Sequence, residues 1–165
     1  MIRILSLFAF INLFFVDAVF AQVPSYVPTS NLVAWWGFTG NVNDASPAGN
    51  NLTNTGAVLT TDRLGAANSA YQFNGSSQYM QRATPTFSYS QTSSFSVSWW
   101  VQRSATGYGV ALMHGSTTNG NFIWNFQTAS TTSDMMFGSN KQGSAWIWPQ
   151  TSYAINQWEH FVGVY

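Results

Sequence analysis

The chain has 165 residues, 45% hydrophobic, 17% aromatic and only 6% charged, with a formal net charge of zero and no cysteine. So many aromatics exclude a disordered chain. The missing cysteines exclude a disulfide scaffold, a thiolate metal site and a cysteine nucleophile. With neither net charge nor a basic run, nucleic acid and anionic membrane surfaces are poor partners.

Residues 1–21 read as an export signal. Arg3 supplies the positive start, residues 4–16 are apolar except for Ser6 and Asn12, and Val19 and Ala21 stand at the −3 and −1 positions of a cleavage after Ala21. The run is shorter than the ~20 apolar residues of a membrane span. The expected mature chain therefore begins at Gln22 and is secreted or held at the cell surface, with no membrane contact after cleavage. In residues 22–165, Ser, Thr, Asn and Gln supply 58 of 144 residues, so neutral polar groups replace charge as the solvent-facing chemistry. Leu, Lys, Arg and Glu number only ten there, which removes most good helix formers. The abundant Val, Thr, Tyr, Phe and Trp suit pleated, half-buried surfaces. One all-β domain over residues 22–165 is expected.

Period-two alternation places the strands. Residues 32–38 (LVAWWGF) come first, with Leu32, Ala34, Trp36 and Phe38 on one face and Val33 and Trp35 on the other. A polar loop over residues 39–54 follows, broken at Gly40, Pro47 and Gly49. Strands at 70–73 and 78–82 flank Asn74-Gly75, a pair that readily takes positive φ. Residues 95–103 alternate cleanly, with Phe95, Val97, Trp99 and Val101 opposed to Ser96, Ser98, Trp100 and Gln102. Further strands are expected at 109–114, 121–127, 135–138, 145–148 and 158–165. Eight or nine short strands separated by turns predict a sandwich or jelly roll.

Four segments carry a family likeness: LVAWWGFTGNVNDASPAGNN (32–51), TTDRLGAANSAYQFNGSSQYM (60–80), SFSVSWWVQR (94–103) and QWEHFVGVY (157–165). In order and spacing they resemble the laminin-G-like domains of the concanavalin A-like lectin and glucanase group, in its bacterial secreted branch. The resemblance implies a two-sheet antiparallel jelly-roll sandwich. Domains of that group continue beyond the Trp-x-His strand, so the resemblance also implies that the domain is incomplete at Tyr165.

Catalysis finds little support. Glucanases of that group set two carboxyl groups ~5 Å apart on one strand, whereas Asp44, Asp62, Asp134 and Glu159 are each isolated in sequence. No G-x-S-x-G elbow is present. Glu159 and His160 are adjacent on a predicted strand and so point to opposite faces. His160 and His114 are expected to be structural, and the chain is expected not to be an enzyme.

Two binding chemistries remain. The loop holding Asn43 and Asp44 offers a carboxylate with amide and hydroxyl oxygens. The corresponding family loop often helps hold calcium, which makes Asp44 and Asn43 candidate Ca2+ ligands. The alternative is that Asp44 and Ser46 bond only the loop's own backbone. Sugars, in turn, stack their C–H faces on aromatic rings and need amide and hydroxyl partners. Trp36, Trp99 and Trp158 lie on the most apolar faces and are expected in the core. Trp146 and Trp148, spaced i and i+2, together with Trp100 on the polar face of its strand, are the candidate glycan-stacking residues. A glycan or an extracellular protein is thus the expected partner, the latter through an adhesion role.

Overall fold

The computed structural model describes residues 21–87, 93–115, 122–128, 134–139 and 149–165. Among them there is no helix, and ten strands form antiparallel sheets. β1 (Thr53–Thr55) pairs with β4 (Tyr79–Gln81), and β2 (Val58–Thr60) with β3 (Ala70–Gln72). β5 (Ser96–Gln102) pairs along its whole length with β10 (Trp158–Val164). β6 (Gly109–Gly115), β7 (Phe122–Thr128), β8 (Asp134–Ser139) and β9 (Gln150–Ser152) form a four-stranded sheet in chain order.

The β5–β10 pair packs face to face on that four-stranded sheet. Phe95 meets Trp124 and Phe137, with ring centroids 5.4 and 6.2 Å apart, and Trp99 meets Phe126 at 5.6 Å. Met135, Tyr153 and Phe161 complete the buried cluster, with Val97, Val101 and Leu112 packed around it. Burying each such side chain stabilises the fold by roughly 1.5–3 kcal/mol before entropic costs. Phe95 extends the pairing by one step, because it and Tyr165 exchange both backbone hydrogen bonds. Gly163 faces this core. A Cβ there would lie 2.6 Å from Phe126 Cζ, so the bare backbone is what allows β10 to approach the rings.

The alternation expected for 95–103 holds: Val97, Trp99 and Val101 are half-buried, while Ser96, Ser98, Trp100 and Gln102 are exposed. β6, β7, β8 and β10 stand within a residue or two of their expected positions. The strand expected at 145–148 lies outside the described residues.

Three local expectations are corrected. Residues 32–38 form no strand and make a single bridge, Trp36 to Asp44. Positive φ at Asn31 (63°) and Phe38 (55°) brackets the segment, and its polar groups bond to side chains and loop backbone instead of a neighbouring strand. The strands flanking Asn74-Gly75 do not form a hairpin, since β3 and β4 belong to different pairs. The turn itself is as expected: Gly75 has φ 70°, and Asn74 Oδ1 accepts the N–H groups of Ser76, Ser77 and Gln78. Finally, β1, β2 and β9, each of three residues, were not anticipated, being too short to show a period.

Candidate functional site

The outward face of the β5–β10 pair presents the most distinctive surface. Register places Trp100 opposite His160, Gln102 opposite Trp158 and Ser98 opposite Val162. Trp100 is 46% exposed. Its indole stacks on the His160 ring, with centroids 4.9 Å apart and planes 22° from parallel. His160 Nε2 lies 2.7 Å from Ser98 Oγ, a hydrogen bond whose donor depends on the imidazole tautomer. Trp100, Trp158, His160, Val162, Thr151 and Ser152 line a shallow open groove of about 630 Å³. A half-exposed indole beside hydroxyl, amide and imidazole groups combines an apolar stacking surface with hydrogen-bonding partners.

Arg63 reaches this face from the loop between β2 and β3, and its guanidinium carbon sits 4.5 Å from the centre of the Trp100 ring. That loop is braced. Asp62 Oδ1 accepts the N–H groups of Leu64 and Ala66 at 2.8 and 2.9 Å, Asp62 N donates to Ala66 O, and Ser69 N donates to Thr60 O. Gly65 takes φ 86° to close the turn, a conformation glycine adopts without steric cost.

Glu159 lies on the other face of β10, where its Oε1 accepts the N–H of Ala154 at 2.9 Å. It does not meet His160 as a dyad, as adjacent strand positions require. His114 stacks against Trp124 at 6.0 Å and lies 5.2 Å from the Phe87 ring. Burial there lowers its pKa below the ordinary 6.5.

The Asp44 loop is a closed hydrogen-bonded unit. Oδ1 accepts Trp35 N and Ser46 N, both at 2.8 Å, and Oδ2 accepts Ser46 Oγ at 2.8 Å and Asn50 N at 2.7 Å. Burial works to raise the pKa of this carboxyl, but the hydrogen bonds from Trp35, Ser46 and Asn50 outweigh it and hold the group below the ordinary 3.8. Asn50 is fully buried. Its Nδ2 donates to Val33 O, its Oδ1 accepts Thr86 N, and its carbonyl accepts Trp36 Nε1. This amide therefore ties residues 33–36 and 86 to the loop. A carboxylate has about four lone-pair positions, and Asp44 spends all four on its own chain. Asn43 is exposed, and its N–H donates to Asn41 Oδ1. A calcium ion at Asn43 and Asp44 would have to share or replace these four hydrogen bonds. Among the described residues no three His, Cys, Asp or Glu side chains gather in one place.

Of the expected glycan-stacking residues, Trp100 stands on the exposed face as its alternation requires, whereas Trp146 and Trp148 lie outside the described residues. Trp99 packs in the core and Trp36 is half-buried. Trp158 is corrected: it lies on the outward face of β10 and walls the groove. In sequence, Trp158, His160, Val162 and Val164 look like the apolar face of the strand, and Glu159, Phe161 and Gly163 like the polar one. The core takes the second set, because Gly163 is needed for close approach and Glu159 is held by Ala154. His160 and Arg63 were not anticipated at the site either. His160 follows from the strand register with Trp100, but nothing local in the sequence points Arg63 toward that ring. No protein-family model matches the chain, and neither a curated protein nor a solved structure matches it.

Proposed function

We propose that the chain is a secreted, non-catalytic carbohydrate-binding module that uses the groove beside Trp100. The observation that carries this reading is the half-exposed Trp100 indole, set beside Trp158 and a polar margin of His160, Ser98, Gln102, Thr151 and Ser152. The laminin-G-like resemblance of the four sequence segments supports a jelly-roll arrangement of the sheets and an extracellular setting. One fold hosts many activities, and it is the groove that points to a glycan. The scarcity of carboxylates and their isolation in sequence favour binding over hydrolysis.

Retention of the chain in gels carrying different soluble polysaccharides tests the proposal. Trp100→Ala is expected to abolish retention while shifting the melting temperature by no more than a few degrees, since exposed substitutions cost little. Retention by no polysaccharide, or undiminished retention of the variant, overturns it. A second reading, a protein-binding adhesion module, draws on Val162 and Val164, which are 56% and 71% exposed along the same outward face. Binding to extracellular matrix that survives excess sugar but falls with a protein competitor would establish that reading in its place.

A further inference from the structure

We propose that Arg63 makes the Trp100 groove selective for glycans bearing carboxylates, that is, for uronic-acid polymers over neutral ones. The inference rests on the glycan reading of the groove and adds a substrate class to it.

Three observations converge. The first is geometry: the Arg63 guanidinium lies over the Trp100 ring, 4.5 Å from its centre. A guanidinium over an aromatic ring is held by the ring's negative face rather than by a hydrogen-bond acceptor, which leaves its planar set of five N–H donors for a ligand. The indole thus holds the fork in place without consuming it.

The second is the lack of a competing partner. Among the described residues Arg63 makes no hydrogen bond and no ion pair; the ring contact is what holds it. The nearest carboxylate in sequence, Asp62, has its Oδ1 engaged by the N–H groups of Leu64 and Ala66 within its own turn. Glu159 borders the groove, but its Oε1 is engaged by Ala154 N. The outward positions of β5 and β10 carry Ser96, Ser98, Trp100, Gln102, Trp158, His160, Val162 and Val164, with no acid among them.

The third is rigidity. The Asp62 turn and the β2–β3 ladder fix the loop that carries Arg63, so little ordering is left for the ligand to drive. Preorganised donors gain affinity by avoiding that cost.

A uronate ring matches this arrangement. It has an apolar C–H face for Trp158 and the exposed rim of the Trp100–His160 stack, hydroxyls for the Ser, Thr and Gln margin, and a carboxylate for the guanidinium fork. Arg–carboxylate pairs are bidentate and about twice as strong as neutral hydrogen bonds. A neutral hexose, carrying a hydroxymethyl group there, forgoes that pairing.

The test compares two polymers of one backbone, polygalacturonate and its methyl ester, by calorimetry and affinity electrophoresis on the full chain. Wild type is expected to bind the free acid roughly tenfold or more tightly than the ester, the scale of one charge-assisted hydrogen bond. Arg63→Gln should erase that preference, bringing the acid-to-ester affinity ratio to about one, with the melting temperature unchanged. Arg63→Lys should keep only a salt-sensitive part of it. Arg82→Gln, which removes the same charge from an exposed position elsewhere, should leave the preference intact.

Equal binding of both polymers by wild type overturns the inference while the glycan reading stands. Equal loss in the Arg63 and Arg82 variants also overturns it, because overall charge then suffices. Binding of an acidic peptide but of no polysaccharide overturns both readings, as does binding of nothing.

Discussion

Asp44→Ala is the substitution that most directly probes what organises the first half of the chain. It removes the acceptor of four hydrogen bonds, from Trp35 N, Ser46 N, Ser46 Oγ and Asn50 N. Ser46 is 7% exposed and Asn50 is 0% exposed, so two of the orphaned N–H groups cannot turn to water. Each buried donor left unpaired costs ~1–3 kcal/mol. With relief from water entry at Trp35, the expected loss is about 2–4 kcal/mol, or a fall in melting temperature of roughly 5–15 °C for a domain of this size. Asp44→Asn preserves shape and the Oδ1 acceptor, but it sets an amide N–H₂ against donors at the Oδ2 position, so it should cost about half as much or more. Urea unfolding followed by tryptophan fluorescence reads both values, provided the m-value stays constant.

The same carboxyl predicts a pH window. Its folded pKa lies below the ordinary 3.8, so its contribution is complete above that value and is lost as pH falls through the lower folded value. The stability difference between wild type and Asp44→Asn should therefore shrink on acidification below about pH 4. A loss under ~0.5 kcal/mol for Asp44→Ala, the scale of an ordinary surface change, would refute this account of the loop.

Three further outcomes follow from the same structure. Gly163→Ala places a Cβ 2.6 Å from Phe126 Cζ and about 3.1 Å from Phe137; overpacking of that kind costs about 1–3 kcal/mol, and an unchanged melting temperature would show that β10 is not seated on those rings. Burial depresses the His114 pKa, so the unfolded chain takes up the proton first, and stability should fall as pH drops from about 6.5 toward the lower folded value. Replacing His114 with Phe should flatten that segment of the stability curve, and a curve of unaltered slope would refute the assignment. Calcium added to the chain tests the Asn43–Asp44 loop: a ligand there should raise the melting temperature by several degrees, and an unchanged value would show that Asp44 keeps its four hydrogen bonds to its own chain.

The sequence and the tertiary structure divided the work along a physical line. Composition and the clean alternation of residues 95–103 were enough to place an all-β chain, the inward set Val97, Trp99 and Val101, and the outward Trp100, because side-chain direction on a strand is a local property of period two. The Asn74-Gly75 turn was legible for the same reason, since positive φ is a preference of the residues themselves. Partner choice was not. Residues 32–38 have a strand's pattern, yet Asp44 and Asn50 take up their backbone and indole groups, and that competition is visible only when the loop has closed. β10 shows the limit most plainly. Glycine carries no hydrophobic signal, so a strand whose inward face includes Gly163 reads as facing the wrong way until Phe126 and Phe137 are seen to need the space. Arg63 is separated from Trp100 by 37 positions of chain, and only the packing of the β2–β3 loop against the β5–β10 face brings the cation to the ring.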